Sequence, residues 1–333
     1  MAPGGRRITS ADVAREAGVS RSTVSYVLND NPNQTIPDGT RQRVLDAART
    51  LGYAPSAAAR TLRSGRSDVV LGLLPDWPLG PAVGTLVQRM AAAFAEHDLT
   101  FVVHPGTRAA RPLSEVWKAI TPAAVLALDE FSDADAEAMR AAGVEVIVAM
   151  HGTTRERARE MPAPDNPIGA LQARHLANSH TRLGYAYPDD DRVAVFAEPR
   201  LAGVRAVCAE LGLPEPDVRT VPLDPHGAAG CVQAWLDARP SVTGICAFND
   251  EVAMAVLAGL GRLGLDAPRD MAVVGVDDLP AAALARPPLT TVAQDLTVIA
   301  EEYVRTVVGA LRGEPARTEP VTGRFRLVVR DSA

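Results

Sequence analysis

Short polar side chains cluster in one segment near the amino terminus, and their types suit hydrogen bonding to the edges of DNA bases. The segment is residues 20–26, SRSTVSY, and its outward-facing members on a helix are Arg21, Ser22, Thr23, Ser25 and Tyr26. An arginine guanidinium can bind O6 and N7 of guanine with two hydrogen bonds, and hydroxyls can serve base edges or phosphates. No carboxylate interrupts this face, so we predict a helix that enters the major groove of duplex DNA. An ordinary helical hairpin with a solvated outer face is the alternative that stays open.

Two helices joined by a tight turn must present that face. Thr9 and Ser10 can each cap a first helix, and Gly18 supplies the turn because a positive φ costs glycine little. Ser20 is the predicted cap of the second helix, and a third helix over 39–51 completes a compact head. The residues expected to face inward from the three helices are Val13, Ala14, Ala17, Val24, Val27, Leu28, Val44, Leu45, Ala48 and Leu51.

Charge is distributed unevenly along the 333 residues, whose net charge is −6. Residues 1–66 hold ten arginines and five acidic side chains, so they carry +5 and the remaining 267 residues carry −11. A basic head on an acidic body favours phosphate contact at one end and limits non-specific binding elsewhere. The length itself predicts more than one domain.

The segment after the head, residues 55–65 (PSAAARTLRSG), predicts a short helix of low intrinsic stability. Pro55 suits a first helical turn, and Gly65 ends the helix. Isolated helices shorter than about 12–15 residues are marginal in water, so we expect this helix to form fully only when something packs against it. Leu62, flanked by arginines, is its one large apolar side chain.

From Val69 onward, apolar strands alternate with amphipathic helices. This order predicts parallel sheets covered by helices on both faces, and the number of strands suits two doubly wound lobes. The predicted strands are 68–75, 99–105, 123–129, 144–150, 192–198, 242–248, 271–278 and 324–331. The predicted helices are 82–96, 199–212, 227–238 and 250–263. The chain is expected to cross between the lobes at 161–167 and to return near 290–295. The expected fold is therefore a small all-α head plus an α/β body of two doubly wound parallel-sheet lobes.

Several chemical classes lack their characteristic residues in this chain. Cys208, Cys231 and Cys246 are odd in number and widely spaced, which predicts buried, reduced thiols and no metal site. Residues 259–264 (GLGRLG) fit G-x-G-x-x-G, but this motif ends a predicted helix instead of following a strand, so dinucleotide binding is not expected. No nucleophile elbow or phosphate loop occurs, and no cofactor is predicted. The absence of a long apolar run and of a signal peptide predicts a cytoplasmic protein with no membrane partner.

Separate blocks of the chain carry one family pattern. The head contains AREAGVSRSTVSYVLN and the linker contains GYAPSAAARTLRSG. The body contains NDEVAMAVLAGLGRLGL, PRDMAVVGVDDLP, PPLTTVAQD and RLVVRDS. In these blocks, and in this order, the chain resembles the LacI/GalR family of bacterial transcriptional repressors. The resemblance implies a helix-turn-helix head, a hinge helix and a body like the periplasmic sugar-binding proteins. It also implies a homodimer that binds a near-palindromic operator, and a regulator instead of an enzyme.

The resemblance assigns DNA contacts in the head and the linker. Arg21 and Ser22 occupy the positions that most often set the operator sequence, and Tyr26 lies one turn further along. A phosphate contact stays open as the alternative for Arg21. Leu62 matches the hinge leucine that wedges into the minor groove at the operator centre; packing on the body is its alternative. The full predicted set is Thr9, Arg21, Ser22, Thr23, Ser25, Tyr26, Asn29, Ser56, Ala59, Arg60 and Leu62.

The resemblance also implies an effector in the cleft between the lobes. By family position its contacts are Trp77, Arg200, Asn249, Asp250, Asp277 and Gln294. Arginine and aspartate can bracket sugar hydroxyls with charge-assisted hydrogen bonds, and a tryptophan ring can stack on an apolar sugar face. Structural alternatives stay open: Asp250 caps its helix, Asp278 braces a loop, and Trp77 packs in the interior.

Two departures from the family pattern concern this cleft. Met150 and His151 stand where many relatives carry a polar hydrogen-bonding residue, and the loop around 189–200 is shorter than usual. A sugar-like effector is the first expectation, and a non-sugar effector such as a nucleobase, or no effector, is the alternative.

Domain boundaries follow from these patterns. The expected parts are the head 1–54, the hinge 55–66, a first lobe of 67–164 with 293–320, and a second lobe of 165–292 with 321–333. An exported solute-binding protein is the remote alternative, which explains the body but leaves the head without a purpose. The chain shows no heptad tail, which favours a dimer over a tetramer.

Overall fold

The computed structural model describes residues 8–28, 34–53, 67–105, 113–128, 132–149, 159–160, 167–315 and 324–333. The chain divides into two compact units, Met1–Asp68 and Val69–Ala333. Helices form the first unit and mainly parallel sheets form the second. The predicted linker helix at 55–65 lies outside the described residues, as does nearly all of the predicted crossover at 161–167.

The head is built on helices α1 (Ser10–Ala17), α2 (Arg21–Leu28) and α3 (Asp38–Thr50). Thr9 precedes α1 and donates from its backbone N–H (2.9 Å) and its hydroxyl (2.7 Å) to the Asp12 carboxylate. Gly18 has a φ of 65°, so the predicted left-handed turn is confirmed. The head core consists of Val13, Ala14, Ala17, Val24, Val27, Val44, Ala47 and Ala48, with Leu28, Leu45 and Leu51 partly buried against it.

A parallel sheet occupies the first half of the body. Its strands are β1 (Val69–Leu74), β2 (Thr100–Pro105), β3 (Ala124–Ala127), β4 (Val146–Ala149) and β5 (Arg159–Glu160), in the order β2-β1-β3-β4-β5. The intervening helices are α4 (Pro81–Ala95), α5 (Leu113–Ile120) and α6 (Asp133–Ala141). Every residue of β3 is buried, as expected of a strand covered by helices on both faces.

A second sheet occupies the other half of the body. Its strands are β6 (Leu183–Pro188), β7 (Asp217–Val221), β8 (Gly244–Ala247), β9 (Ala272–Val276), β10 (Thr290–Gln294) and β11 (Phe325–Val328), in the order β11-β10-β9-β8-β6-β7. All pairs are parallel except β10 with β11. Its helices are α7 (Ile168–Leu176), α8 (Ala194–Glu210), α9 (Pro225–Asp237), α10 (Asp250–Arg262) and α11 (Pro280–Leu284). The predicted fold class is confirmed.

One helix and one ion pair link the two sheets. Helix α12 (Leu296–Leu311) directly follows β10, yet Val304 packs in the core of the first sheet with Val70. Glu302 of α12 binds the guanidinium of Arg324, which lies next to β11, at 2.8–2.9 Å with both side chains almost fully buried. The chain therefore passes between the sheets after β10 and again before β11.

One predicted strand, 192–198, is wrong. These residues belong to a 3-10 turn, Asp191–Val193, and to the first turn of α8. The Asp190 carboxylate accepts a hydrogen bond from the Arg192 N–H at 3.0 Å and so begins this turn. A short apolar run has no periodicity that separates a buried strand from a buried helix. The sequence prediction also misses strands β6 and β7, and it treats the residues of β10 only as a crossover.

The glycines of 259–264 belong to a helix end, as predicted. A Cβ on Gly259 would lie 2.8 Å from the backbone of Ala228, so this glycine permits the close packing of α10 on α9. Gly264 has a φ of 71° and follows the end of α10. The motif therefore lacks the preceding strand that a dinucleotide-binding loop needs.

The three cysteines are free thiols, as predicted; Cys208 and Cys246 are also buried, whereas Cys231 is only partly buried, contrary to the prediction. Desolvation raises the pKa of each. Within the part of the chain that the structure describes, no helix has both the length and the apolar character needed to cross a membrane. The same part contains no group of His, Cys, Asp and Glu side chains that could hold a metal ion.

Candidate nucleic-acid interface and ligand cleft

The polar face of α2 is held from behind by the head core. Val24 has no exposed surface and Val27 only 3%, while Arg21 and Ser22 on the opposite side are exposed. The residues predicted for this face that are partly exposed are Thr23, Ser25 and Tyr26. The helix therefore presents its polar side outward, as the sequence predicts.

Hydroxyl groups fix the start of α2. Ser20 Oγ accepts a hydrogen bond from the Thr23 N–H at 3.1 Å, which confirms Ser20 as the helix cap. The same oxygen lies 2.7 Å from Ser22 Oγ and 2.9 Å from Thr23 Oγ1. In contrast, the Arg21 guanidinium has no protein partner among the described residues, so it can bind another molecule without breaking an existing interaction.

Several predicted contacts cannot be located on this surface. Asn29, Ser56, Ala59, Arg60 and Leu62 lie outside the described residues, and so do Met150 and His151 of the body. Thr9 is exposed, but its hydroxyl already binds Asp12 at the start of α1.

Arg200 is the one cation among the predicted cleft residues, and contacts with Phe248 hold its side chain in place. It lies on α8 and is 7% exposed. Its Nη1 donates to the Phe248 carbonyl oxygen at 2.6 Å, and its guanidinium carbon stands 4.7 Å from the centre of the Phe248 ring. Its Nε is buried and has no hydrogen-bond partner within the described ranges. The side chain is therefore held in place while retaining a donor that no described group satisfies.

Asp277 and Gln294 are brought together at the carboxyl ends of β9 and β10. Gln294 Nε2 donates to Asp277 Oδ1 at 2.5 Å, and the Asp277 N–H donates to the Val292 carbonyl oxygen at 2.9 Å. Asp277 has a φ of 105°, an unusual backbone conformation for a residue with a side chain. Such outliers concentrate at functional sites.

Asn249 and Asp250 follow β8, but their roles differ from the sequence interpretation. Asn249 Oδ1 accepts from the Val252 N–H at 2.9 Å, so Asn249, and not Asp250, caps α10. Asp250 has no exposed surface, and its carboxylate accepts from the Leu279 N–H (2.8 Å) and the Thr291 hydroxyl (2.6 Å). In this structure Asp250 therefore joins α10 to β10 and to the segment after β9, and it is not exposed to solvent.

Burial controls the ionisation of Asp250. Its pKa is raised to about 7, and the largest cause is desolvation, which the hydrogen bonds from Thr291 and Leu279 oppose. The neighbouring carboxylates Asp277 and Asp278 contribute to the same increase. Asp278 itself is bound by Arg330 at 2.6 Å, which agrees with the alternative that it braces a loop.

Trp77 contacts the second lobe. Its ring centroid is 4.6 Å from that of Phe196 on α8, with the planes tilted by 57°, and Trp77 is 9% exposed. The neighbouring Asp76 lies 3.8 Å from Arg192, a weak pair because both side chains are exposed. Packing, the structural alternative for Trp77, is thus what the structure shows.

Sequence reasoning missed residues that organise this site. Phe248 directly precedes Asn249 and holds Arg200, and Thr291 binds Asp250. Gln172 was also missed, although a signal exists: it interrupts the buried stripe of α7 between Ile168 and Leu176.

Comparisons with known proteins agree with both units. Residues 9–56 match a family described as bacterial regulatory proteins, lacI family, and residues 173–333 match a periplasmic binding protein-like domain. The HTH-type transcriptional regulator MalR of Streptomyces coelicolor is 31% identical over 339 residues, which cover 97% of this chain and 95% of that protein.

Solved structures share the fold along the chain. The crystal structure of the lac repressor dimer bound to operator and the anti-inducer ONPF has a TM-score of 0.78 at 22% identity and covers 98% of this chain and 99% of its own. The complex of the transcriptional regulator CelR with cellobiose has a TM-score of 0.64 at 27% identity, with 98% and 100% covered. The chain therefore belongs to the LacI family of bacterial regulatory proteins: it is a DNA-binding transcriptional regulator with a periplasmic-binding-protein-like domain, and it is not an enzyme.

Proposed function

We propose that this regulator represses transcription by binding a near-palindromic operator as a homodimer. The observation that carries the proposal is the outer face of α2, where Arg21 is exposed and has no partner among the described residues while Val24 and Val27 anchor the helix. Two copies related by a two-fold axis present two such helices to successive major grooves, which is why a palindrome is expected. Operator binding places the protein in the cytoplasm with the chromosome.

The proposed parts keep the boundaries that the sequence indicates. They are the head 1–54, the hinge 55–66, a first lobe of 67–164 with 293–320, and a second lobe of 165–292 with 321–333. In this proposal the hinge binds the minor groove through Ser56, Ala59, Arg60 and Leu62. The two leucines of a dimer unstack a central base step, at a cost of a few kcal/mol that the added protein–DNA contacts offset.

Leu62→Ala tests the hinge. Removing the wedge is expected to weaken binding to the selected operator at least about tenfold more than binding to random duplex, because only the specific complex contains the kink. Fluorescence anisotropy with the two DNAs at one fixed salt concentration measures both losses. Equal losses on the two DNAs contradict the wedge.

A sugar-like effector is the proposed ligand of the cleft. Arg200 offers an unsatisfied buried donor, and Asp277 with Gln294 and Asn249 offers hydrogen-bonding groups at strand ends, where ligands of such folds bind. The cellobiose found with CelR supports a saccharide as the first class to test. The effector changes the relation of the two lobes and so the spacing of the paired hinges.

A non-sugar effector, or none, is the second candidate. The observation that favours it is the packing of Trp77 on Phe196, which removes the aromatic face expected to stack on a sugar ring. A smaller or flatter ligand, or a cleft that only holds the lobes together, fits this arrangement.

Thermal-shift measurements with saccharides and nucleobases, followed by operator-release assays, separate the two candidates. A sugar effector predicts stabilisation and a changed operator affinity with at least one saccharide, and loss of both in Arg200→Ala. Arg192→Ala is the matched control, because Arg192 is exposed and its ion pairs within the described part of the chain are with the exposed Asp76 and with Asp190. A response to nucleobases alone, or to no compound, contradicts the sugar proposal.

A further inference from the structure

Gln172 is a fully buried polar side chain in the apolar stripe of α7. Its neighbours one turn away, Ile168 and Leu176, are 1% and 2% exposed, and Gln172 is 0% exposed. Its Nε2 donates to three backbone carbonyl oxygens, those of Ala247 (2.8 Å), Val274 (2.9 Å) and Gly275 (3.2 Å). One side-chain amide therefore joins the carboxyl ends of two neighbouring strands, β8 and β9.

The amide lies where the backbone ladder between these strands stops. The last paired residues of β8 and β9 are Cys246 and Val274. Asn249 follows Ala247 by two residues, and Asp277 follows Gly275 by two residues. Gln172, which is fully buried and belongs to neither strand, thus binds the backbone two residues before each of two proposed effector contacts.

The same helix also sets the position of Arg200. Gly169 lies in the first turn of α7, and a Cβ at this position would collide with the carbonyl oxygen of Arg200. On α8, a Cβ added at Gly203 would lie 3.1 Å from the backbone N of Ala170, so this glycine also allows the two helices to approach closely. The first two turns of α7 therefore contact the backbone of α8, β8 and β9. These three elements carry or precede the proposed effector contacts Arg200, Asn249 and Asp277.

Stability alone does not explain a glutamine at this position. Its Oε1 is buried and has no hydrogen-bond partner among the described residues, and such an acceptor loses its hydration without compensation. An apolar side chain of similar volume avoids that loss. What only the glutamine provides is the set of donors to the strand ends.

We propose that Gln172 is a positioning residue of the effector site, which holds the ends of β8 and β9 at the separation that ligand binding requires. This inference rests on the proposed effector function of Asn249 and Asp277. Gln172 acts through the backbone and does not contact the ligand.

The pKa of Asp250 depends on the separation between the ends of β8 and β9, so it can be used to detect a change in that separation. Asp250 follows β8, and it accepts hydrogen bonds from Leu279, after β9, and from Thr291 of β10. The charged groups that act on it are Asp277 and Asp278. If β8 and β9 move apart, these two hydrogen bonds weaken, and they are the interactions that lower the pKa of Asp250.

The test compares Gln172→Met with Ser332→Ala in the full-length protein. Ser332 is the matched control: it is equally buried, donates to the Val273 carbonyl oxygen (2.6 Å) and accepts from the Thr290 N–H (2.8 Å). It ties β9 to β10 near their amino ends, away from Asn249 and Asp277. Urea unfolding followed by tryptophan emission between pH 4 and pH 8 gives the pH profile of each variant, and cellobiose is the ligand probe.

Both variants are expected to lose stability and to keep operator affinity without ligand within about twofold, since the head folds around its own core. As the pH rises, the free energy of unfolding falls while Asp250 ionises. Only Gln172→Met is expected to move the pH range of this fall upward, by about half a pH unit or more, because the pKa of Asp250 rises when its hydrogen bonds weaken. The same variant is also expected to weaken the cellobiose response about tenfold. The pH profile decides the proposal even if cellobiose has no effect on the wild type, an outcome that counts against the sugar proposal only.

Gln172→Glu provides a milder variant if Gln172→Met does not fold. A protonated carboxyl keeps one donor, whereas a carboxylate faces three carbonyl oxygens. The loss in unfolding free energy of Gln172→Glu relative to the wild type is therefore expected to be small at pH 5 and large at pH 8. A pH profile of Gln172→Met identical to that of Ser332→Ala overturns the proposal, as does wild-type behaviour of Gln172→Glu at both pH values.

Discussion

The head and the cleft arrange their polar side chains in opposite ways. On α2, Arg21 and Ser22 are exposed, and the Arg21 guanidinium has no partner among the described residues. Among the predicted cleft residues, Arg200 and Asp277 already bind other protein groups, and Asp250 is fully buried and bound by Leu279 and Thr291. Arg21 can bind DNA without giving up a described interaction. A ligand that binds Asp277 must compete with Gln294, although the Arg200 Nε remains a donor without a partner among the described residues. This difference suits a head that binds DNA in one fixed arrangement and a body whose arrangement changes when it binds an effector.

The pH dependence of Asp250 is the largest expected effect. Its pKa is about 7 in the folded protein and 3.8 as the ordinary value, so the folded state binds more protons between these values. The contribution of this carboxyl to stability is therefore fully present below about pH 4 and is lost as the pH rises to 7, by on the order of 4 kcal/mol. Urea unfolding at several pH values should show this decline in the wild type and a flatter profile in Asp250→Asn. If the free energy of unfolding changes with pH equally in the wild type and in Asp250→Asn, the Asp250 carboxyl is not buried as described.

Gly169→Ala tests the packing that supports the cleft. The added methyl group would collide with the Arg200 carbonyl oxygen, a backbone atom that cannot turn away, so we expect a loss of about 3 kcal/mol or more. Gly84→Ala is the matched control, because that helical glycine has open space at its Cβ position and alanine favours helices. Tryptophan emission during unfolding follows the body alone, since residues 77, 117 and 235 are its tryptophans. Equal stability of the two variants contradicts the close contact of α7 with α8.

Arg21→Ala tests the reading face. If Arg21 binds a guanine, the variant loses about 1–3 kcal/mol of discrimination at one base-pair position and keeps its body stability. Arg49→Ala is the control, because Arg49 is exposed and paired with Asp46. Binding to operators mutated at single positions distinguishes the two contacts: a uniform loss across all sequences indicates a phosphate contact instead.

Trp77→Leu is expected to have the smallest effect. The aromatic contact with Phe196 contributes about 0.5–1.5 kcal/mol beyond the buried area, so the loss in unfolding free energy is modest. Because Trp117 and Trp235 have no exposed surface, a ligand-induced change in emission should come from Trp77 and disappear in the variant. An emission change that survives in Trp77→Leu would mean that the lobes rearrange elsewhere.

Local signals in the sequence predict the head well. The Gly18 turn and the Ser20 cap depend on residues within one turn of each other, so the sequence contains the whole interaction. The buried strands β3, β8 and β9 are predicted because both of their faces are apolar. The failure at 192–198 has the same origin, since an apolar run does not say which element it forms and the Asp190 turn decided it.

The cleft is harder to predict because its contacts are distant in the sequence. The Leu279 and Thr291 groups that bind Asp250 are 29 and 41 residues away, and the carbonyl groups bound by Gln172 are 75 to 103 residues away. Family position indicates which side chains lie near the cleft, but it does not indicate whether a carboxylate faces the ligand or another strand.

Selection of bound sequences from random duplex DNA, followed by affinity measurement at one fixed salt concentration, tests the central claim most directly. The account predicts a near-palindromic site that the wild type binds at least about 1,000-fold more tightly than bulk duplex. Enrichment of no common sequence, with equal affinity for all duplexes, would contradict it.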